Sequence, residues 1–302
     1  MSRNRIILVT IGIMFSLFLA SMESTVVGTA MSTIVGQSNL KLMTILAFKL
    51  FITPFFIGSA TLAGRRWGPA VNGLLVGLPL TTGPISFILA HGFGLEFATK
   101  AAVGNLAGQI SMCTFCLVYS LAAQKSSWLI SAFTAITAFL LTTFLLNKIS
   151  WLLLPAFIVL LVVIALTARF IPRQPLSTNV SLHPRWDLPA RMIVATTFVI
   201  LLTTFANILG PQLSGLISTF PIFGVVFAAF THSQQGANAA SNLLRGVTLG
   251  SVSYAFFFLT VGVCLTHLGI ALTYIMALFA TILVSGIFYF ITQREKRQVA
   301  HE

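Results

Sequence analysis

Residues 68–117 read GPAVNGLLVGLPLTTGPISFILAHGFGLEFATKAAVGNLAGQISMCTFCL, and residues 210–259 read GPQLSGLISTFPIFGVVFAAFTHSQQGANAASNLLRGVTLGSVSYAFFFL. The second stretch is the first written again at an offset of 142 positions (210 − 68), without a gap. Twelve of the fifty aligned positions are identical, and seven of those are Gly or Pro: Gly68/Gly210, Pro69/Pro211, Gly73/Gly215, Pro79/Pro221, Gly94/Gly236, Gly104/Gly246 and Gly108/Gly250. A shared Leu or Phe means little in so apolar a chain, whereas each shared Gly or Pro fixes a backbone feature. Self-similarity at a fixed period is therefore read before any single motif.

The composition sets the solvent. The chain is 57% hydrophobic and 7% charged, with a mean hydropathy of +0.99, against about 25% charged residues in a soluble domain. A water-facing surface cannot be covered from such a composition, but a bilayer needs only runs of about 20 apolar residues. Ten such runs are drawn, at about 6–35, 42–63, 68–91, 98–122, 126–146, 149–171, 188–209, 211–230, 237–264 and 268–291. They are long and continuous, which predicts an all-α polytopic membrane protein and excludes a membrane barrel of short alternating strands. The N-terminal MSRNR and the run after it resemble a signal peptide, but the run continues past Glu23 and further spans follow at once.

The net charge of +12 is not a nucleic-acid footprint, because the Lys and Arg residues lie between apolar runs and not on one folded face. With the N-terminus placed in the cytoplasm, twelve of the 17 basic residues fall inside (Arg3, Arg5, Arg65, Arg66, Lys125, Arg169, Arg173, Arg185, Arg191, Arg294, Lys296, Arg297). Two, Lys41 and Lys148, fall outside, and Lys49, Lys100 and Arg245 are ambiguous. That bias places both termini on the cytoplasmic side of a bacterial inner membrane. The offset carries spans 1–5 onto spans 6–10. Five is odd, so the second copy enters the membrane from the opposite face and the prediction is two inverted five-helix repeats, 1–147 and 148–302. Residues 171–191, with four prolines, read as a cytoplasmic connection, and 292–302 as a charged, mobile end.

Two resemblances carry further expectations. Residues 11–36 contain Met22-Glu23-Ser24-Thr25-Val26-Val27-Gly28-Thr29-Ala30-Met31-Ser32. This stretch resembles the first helix of the multidrug:proton antiporters of the major facilitator superfamily, with Glu23 where that motif has Asp and Ser32 where it has Pro. The resemblance implies proton-coupled export of a small molecule. It covers under a tenth of the chain, and 302 residues do not supply that family's twelve or fourteen spans. From about residue 42 on, the chain resembles a family of uncharacterised bacterial multi-pass membrane proteins. The five-plus-five layout is also similar to the drug/metabolite transporter superfamily.

Several residues are candidates for chemistry. Pro79 and Pro221 interrupt spans 3 and 8 at equivalent points; broken helices there expose backbone groups to a substrate, or else are packing kinks. Pro79, Thr81, Thr82, Pro221, Asn105, Gln109 and Arg245 form the expected substrate pathway, with a helix-end anchor as the other reading of Arg245. Gly104-x-x-x-Gly108 and Gly246-x-x-x-Gly250 have the spacing of close helix packing. Lys49 and Arg191 are repeat-equivalent charges inside spans 2 and 7, read as an anion or lipid-phosphate site or as side chains snorkelling to the interface. Glu23 is the acid embedded in a span and the candidate coupling carboxylate. Cys113 and Cys116 form a C-x-x-C in an apolar run, and packing is the default reading. No phosphate-binding loop, nucleophile elbow, paired carboxylates or metal-ligand cluster appears, so neither an enzyme nor a bound cofactor or metal is expected. The expected activity is that of a secondary exporter whose partners are a small-molecule substrate, protons and membrane lipid. A non-transporting envelope scaffold is the alternative.

Overall fold

Glycine opens helices in this protein. Gly68, Gly94, Gly236 and Gly269 have φ of 94°, 89°, 86° and 73°, and ψ of 168°, 167°, 174° and 178°. This is a region of backbone space that only glycine enters at small cost. Each of the four precedes a run of helix. Gly94 and Gly236 are repeat-equivalent and share one conformation.

The computed structural model describes residues 58–63, 65–66, 68–79, 82–83, 86–87, 90, 94–172, 186–194, 196–197 and 220–299. Its principal helices are α1 (Pro69–Val76), α2 (Leu95–Ala123), α3 (Trp128–Leu146), α4 (Leu153–Phe170), α5 (Ile222–Gln235) and α6 (Ala237–Val299). Among the described residues there is no strand. Four stretches are long and apolar enough to cross a membrane: Leu95–Ala123, Trp128–Leu146, Leu153–Phe170 and Ala237–Ile287. The last is two helices, because the chain breaks at Gly269 and doubles back. Ser253 and Ser285, each 16 residues from that glycine, are hydrogen-bonded at 2.9 Å.

The helix boundaries follow the sequence repeat. Helix α2 starts after Gly94 and α6 after Gly236; α3 starts after Ser127, and α6 breaks at Gly269, 142 positions later (269 − 127). Helices α2 and the first half of α6 form the centre, and they run antiparallel. Asn105 meets Tyr254, Gln109 meets Ser251 and Gln124 meets Ser241, so one number falls as the other rises. Apolar residues pack in two clusters along this pair. One is built around Phe115, Tyr119, Phe139, Phe227 and Leu243, the other around Leu106, Leu160, Tyr254, Phe257 and Tyr274. The outer faces are also apolar: Phe133, Leu141 and Leu145 on α3, Leu154 and Ile158 on α4, and Ile275 and Phe279 on α6 are exposed. Lipid is the solvent that such faces fit.

The closest helix approach is between α1 and α6. A Cβ on Gly73 would lie 1.8 Å from the carbonyl oxygen of Leu243, and one on Gly77 2.2 Å from that of Val247. From the other side, a Cβ on Gly250 would lie 2.5 Å from the carbonyl oxygen of Leu74. The backbones touch, which only glycine allows.

Residues 292–299 continue α6; they contain neither Gly nor Pro and are rich in good helix formers. Residues 187–194 are helical, with Pro189 in the first turn, where its missing N–H costs nothing; residues 173–185 of the expected connection lie outside the described residues. Helix α5 extends to Gln235, so the polar run His232–Gln235 is helical. Spans 1 and 2 as far as residue 57, and most of span 7 after residue 197, lie outside the described residues.

Two substitutions separate close packing from bare helix propensity. Gly73→Ala drives a methyl group into the α6 backbone and is expected to destabilise by about 1–3 kcal/mol. Gly104→Ala, on an exposed face where a Cβ meets nothing within 4 Å, is expected to be neutral or to stabilise by up to about 1 kcal/mol. Thermal unfolding of the two variants in detergent reads the difference.

Candidate functional site

The polar side chains of the interior form a seam between α2 and α6, with an ion cluster at one end. Gln109 is the midpoint of α2, about 21 Å from either end at 1.5 Å per residue. Its Nε2 donates to Ser251 Oγ at 2.7 Å, and Ser251 Oγ in turn donates to the Val247 carbonyl at 3.0 Å. One turn away, Tyr254 donates its hydroxyl to Asn105 Oδ1 at 3.2 Å, while Asn105 Nδ2 bonds the Ala101 carbonyl at 3.0 Å. Ser251 is fully buried and Tyr254 nearly so. On α6 this group lies where the two apolar clusters meet, between Val247 and Tyr254.

The break predicted in span 3 adjoins the seam. Helix α1 stops at Val76, capped by Gly77, and Gly83 N–H bonds the Pro79 carbonyl at 3.0 Å as helix resumes. Pro79 is buried and Thr82 half-buried. Pro221, also buried, is the residue from which α5 starts. Further along, Ser86 and Tyr274 share a hydrogen bond at 2.6 Å.

The ion cluster was not expected from the sequence. Asp187, wholly buried, receives Arg191 Nε at 2.7 Å and Gln234 Nε2 at 2.6 Å on Oδ1, and Arg65 Nη2 at 3.0 Å on Oδ2. One carboxylate thus ties together the segment before α1, the helical segment 187–194 and the C-terminal end of α5. Arg191 is 2% exposed, and its guanidinium lies over Phe230 at 5.2 Å and Phe227 at 5.8 Å. Arg191, read from the sequence as an anion or lipid-phosphate site or as a snorkelling side chain, is buried here, and its charge is neutralised by Asp187, four residues away on the same helix. At the same end Tyr119 OH lies 3.5 Å from His232 Nδ1, and Gln124 Nε2 donates to Ser241 Oγ at 3.0 Å.

Arg245 donates from Nη1 to the carbonyl of Ala168, in the last turn of α4. The last four carbonyls of a helix lack partners within it, and a cation there also meets the negative end of the helix dipole. The structure thus gives Arg245 the helix-end anchor role. Of the packing glycines, Gly250 is in tight backbone contact, Gly246 is buried, Gly108 is half-buried and Gly104 is exposed. The spacing that makes the closest contact is Gly73-x-x-x-Gly77, whose four-residue interval was present in the sequence. Glu23, Lys49 and Thr81 lie outside the described residues. Among the described residues, no group of three or more His, Cys, Asp and Glu is placed to hold a metal.

No protein-family model, curated protein or solved structure matches the chain.

The two parts of the site differ in what they contribute. Gln109→Leu removes one interhelical hydrogen bond, and a loss of about 0.5–1.5 kcal/mol is expected. Arg191→Leu strips the buried carboxylate of one of its two cationic partners, and about 3–5 kcal/mol is expected. Thermal unfolding in detergent measures both.

Proposed function

We propose that the chain is a secondary transporter of the bacterial cytoplasmic membrane. It exports a small molecule by alternating access between two inverted five-helix repeats, with both termini in the cytoplasm. One observation carries the reading. Helices α2 and the first half of α6, which the repeat makes equivalent, lie antiparallel, and the equivalent residues Gln109 and Ser251 are bonded to each other at their middles. A two-fold axis in the membrane plane passes between such a pair. An axis along the membrane normal would make the helices parallel.

Further features support it. The buried polar groups Gln109, Ser251 and Tyr254, with half-buried Asn105, lie in the middle of the antiparallel pair, the depth at which transporters of this architecture bind substrate. The interruption at Pro79 and the start of α5 after Pro221 supply backbone ends on either side. Contacts between distant parts of the chain also sort by the predicted topology. Arg65, Asp187, Gln234, Tyr119, Gln124, Ser241 and Arg245 meet at the end read as cytoplasmic. Ser86 and Tyr274 meet at the other.

Two experiments test the proposal. Glu96 and Asn238 are exposed and equivalent (238 − 96 = 142), so cysteines at these positions are expected to react with an impermeant reagent from opposite faces of the membrane. Labelling from one face overturns the inverted repeat. In proteoliposomes under an imposed pH gradient, a substrate panel is expected to include a compound whose flux depends on the protein. The double variant Gln109→Ala/Tyr254→Phe is expected to lower that flux about five-fold or more, the equivalent of one hydrogen bond. Absence of flux across the panel favours the envelope-scaffold alternative.

A further inference from the structure

We propose that Asp187 is a proton-binding site, and that its ionised form latches one end of the seam shut by holding Arg65, Arg191 and Gln234 together. The proposal rests on the transporter reading, and extends it by naming the coupling group and the end at which it acts.

The geometry carries it. Of the acids whose side chains are described, Glu96 is exposed and Asp187 is fully buried. Both oxygens of Asp187 are engaged, and by groups from three segments separated by 47 to 122 positions or lying on its own helix. The segment that holds Arg65 also comes close to segment 187–194 at Gly58, where a Cβ would lie 3.7 Å from Met192 Sδ. The carboxylate is an electrostatic link between these parts. A proton added to it removes the negative charge that lies between two guanidiniums, and they are left as like charges facing each other.

Gln234 is fitted to both protonation states. Its amide donates to Asp187 Oδ1 at 2.6 Å, while its own Oε1 is buried with no hydrogen-bond partner. Turned over, the amide offers that oxygen to a protonated Asp187, which has gained an O–H to donate. The proton comes from water, and Arg65, which bonds Asp187, has a side chain that is 27% exposed.

The direction of coupling follows. Asp187 precedes the seventh apolar segment. Burial opposes its charge, but hydrogen bonding and charge from Arg191, with the hydrogen bonds of Arg65 and Gln234, outweigh that and hold its pKa below the ordinary carboxylate value. The latched state therefore binds the proton more weakly than a state in which the guanidiniums have withdrawn. Falling pH favours the unlatched state, and rising pH the latched one. The charged groups bonded to the site are Arg65 from the segment before α1 and Arg191 from its own helix; on α5, which contributes Gln234, the nearby titratable group His232 is two residues away and faces Tyr119.

The test uses the full chain in liposomes, with Cys113, Cys116 and Cys264 replaced by Ala. Spin labels are placed at the exposed positions Arg66 and Ser233, which flank the cluster on two of its segments. In this background the fraction of molecules with a long inter-label distance is expected to rise several-fold as pH falls from about 8 to about 3, through the ordinary carboxylate range. Asp187→Asn is expected to hold the long distance at every pH, and Asp187→Glu to restore the pH response. A short distance in Asp187→Asn that still lengthens at low pH overturns the proposal. If Asp187→Asn does not assemble, the background protein decides alone, and a distance unchanged across the range overturns it. The readout needs no substrate: a pH-responsive distance without flux removes the transporter reading and keeps the proton site. PH-driven flux retained in Asp187→Asn does the reverse.

Discussion

The contact on which the architecture depends is the meeting of two backbones, α1 on α6, at Gly73, Gly77 and Gly250. In lipid, apolar side chains gain nothing by leaving one hydrocarbon for another, so close packing and interhelical polar bonds must hold helices together. Here the carbonyls of Leu243 and Val247 occupy the space where the Cβ atoms of residues 73 and 77 would be. This approach fixes where α1 ends and so where the chain breaks at Gly77–Pro79. Beyond the break, Ser86 reaches Tyr274, which fastens the resumed helix to the second half of α6. A glycine contact in the first half of α6 thus registers a polar contact just past its break at Gly269.

The polar interior follows the same rule. Gln109, Asn105, Tyr254, Ser251, Ser253 and Ser285 each bond a side chain on a neighbouring helix or on the returning half of α6. Apolar residues fill the space between these bonds and cover the outside. A chain with this composition has no alternative, because a polar group left facing lipid costs several kcal/mol. Other hydroxyls, such as those of Thr134 and Thr137 on an exposed face of α3, are satisfied by carbonyls of their own helix.

Much of this was legible in the sequence, for a physical reason. Helix starts were marked by glycines that adopt a conformation denied to other residues, and apolar runs longer than about 20 residues leave little besides helix. The shared Gly94 and Gly236 located two equivalent helix starts. The tertiary use of residues was not legible. Gly73 and Gly77 read as weaknesses in a helix until α6 is seen against them, and Gly104 has the packing spacing yet lies on an open face. Asp187 was hidden by its company: four prolines, Arg173 and Arg185 give residues 171–191 the composition of a solvated loop. Only the fold brings Arg65, 122 positions away, onto the carboxylate. Arg245 fell between two readings because a helix C-terminus needing a cation is itself a tertiary feature.

Symmetry explains why that cluster matters. If two copies related by an in-plane axis were identical, the states open to either face would be mirror partners of equal energy, and nothing would select between them. The centre of the pair is nearly symmetric in this sense, since Gln109 and Ser251 are each other's equivalents. The ends are not. The positions equivalent to Asp187, Gln234 and Arg65 are Ile45, Gly92 and Asn207, so the repeat keeps the basic residue at Arg191 and Lys49 but neither the acid nor its other two partners. Likewise Ser86 and Tyr274 correspond to Ala228 and Ala132, and their hydrogen bond is unduplicated. One end is therefore tied by an ion cluster around Asp187 and the other by a neutral hydroxyl pair, and the sequence repeat duplicates neither.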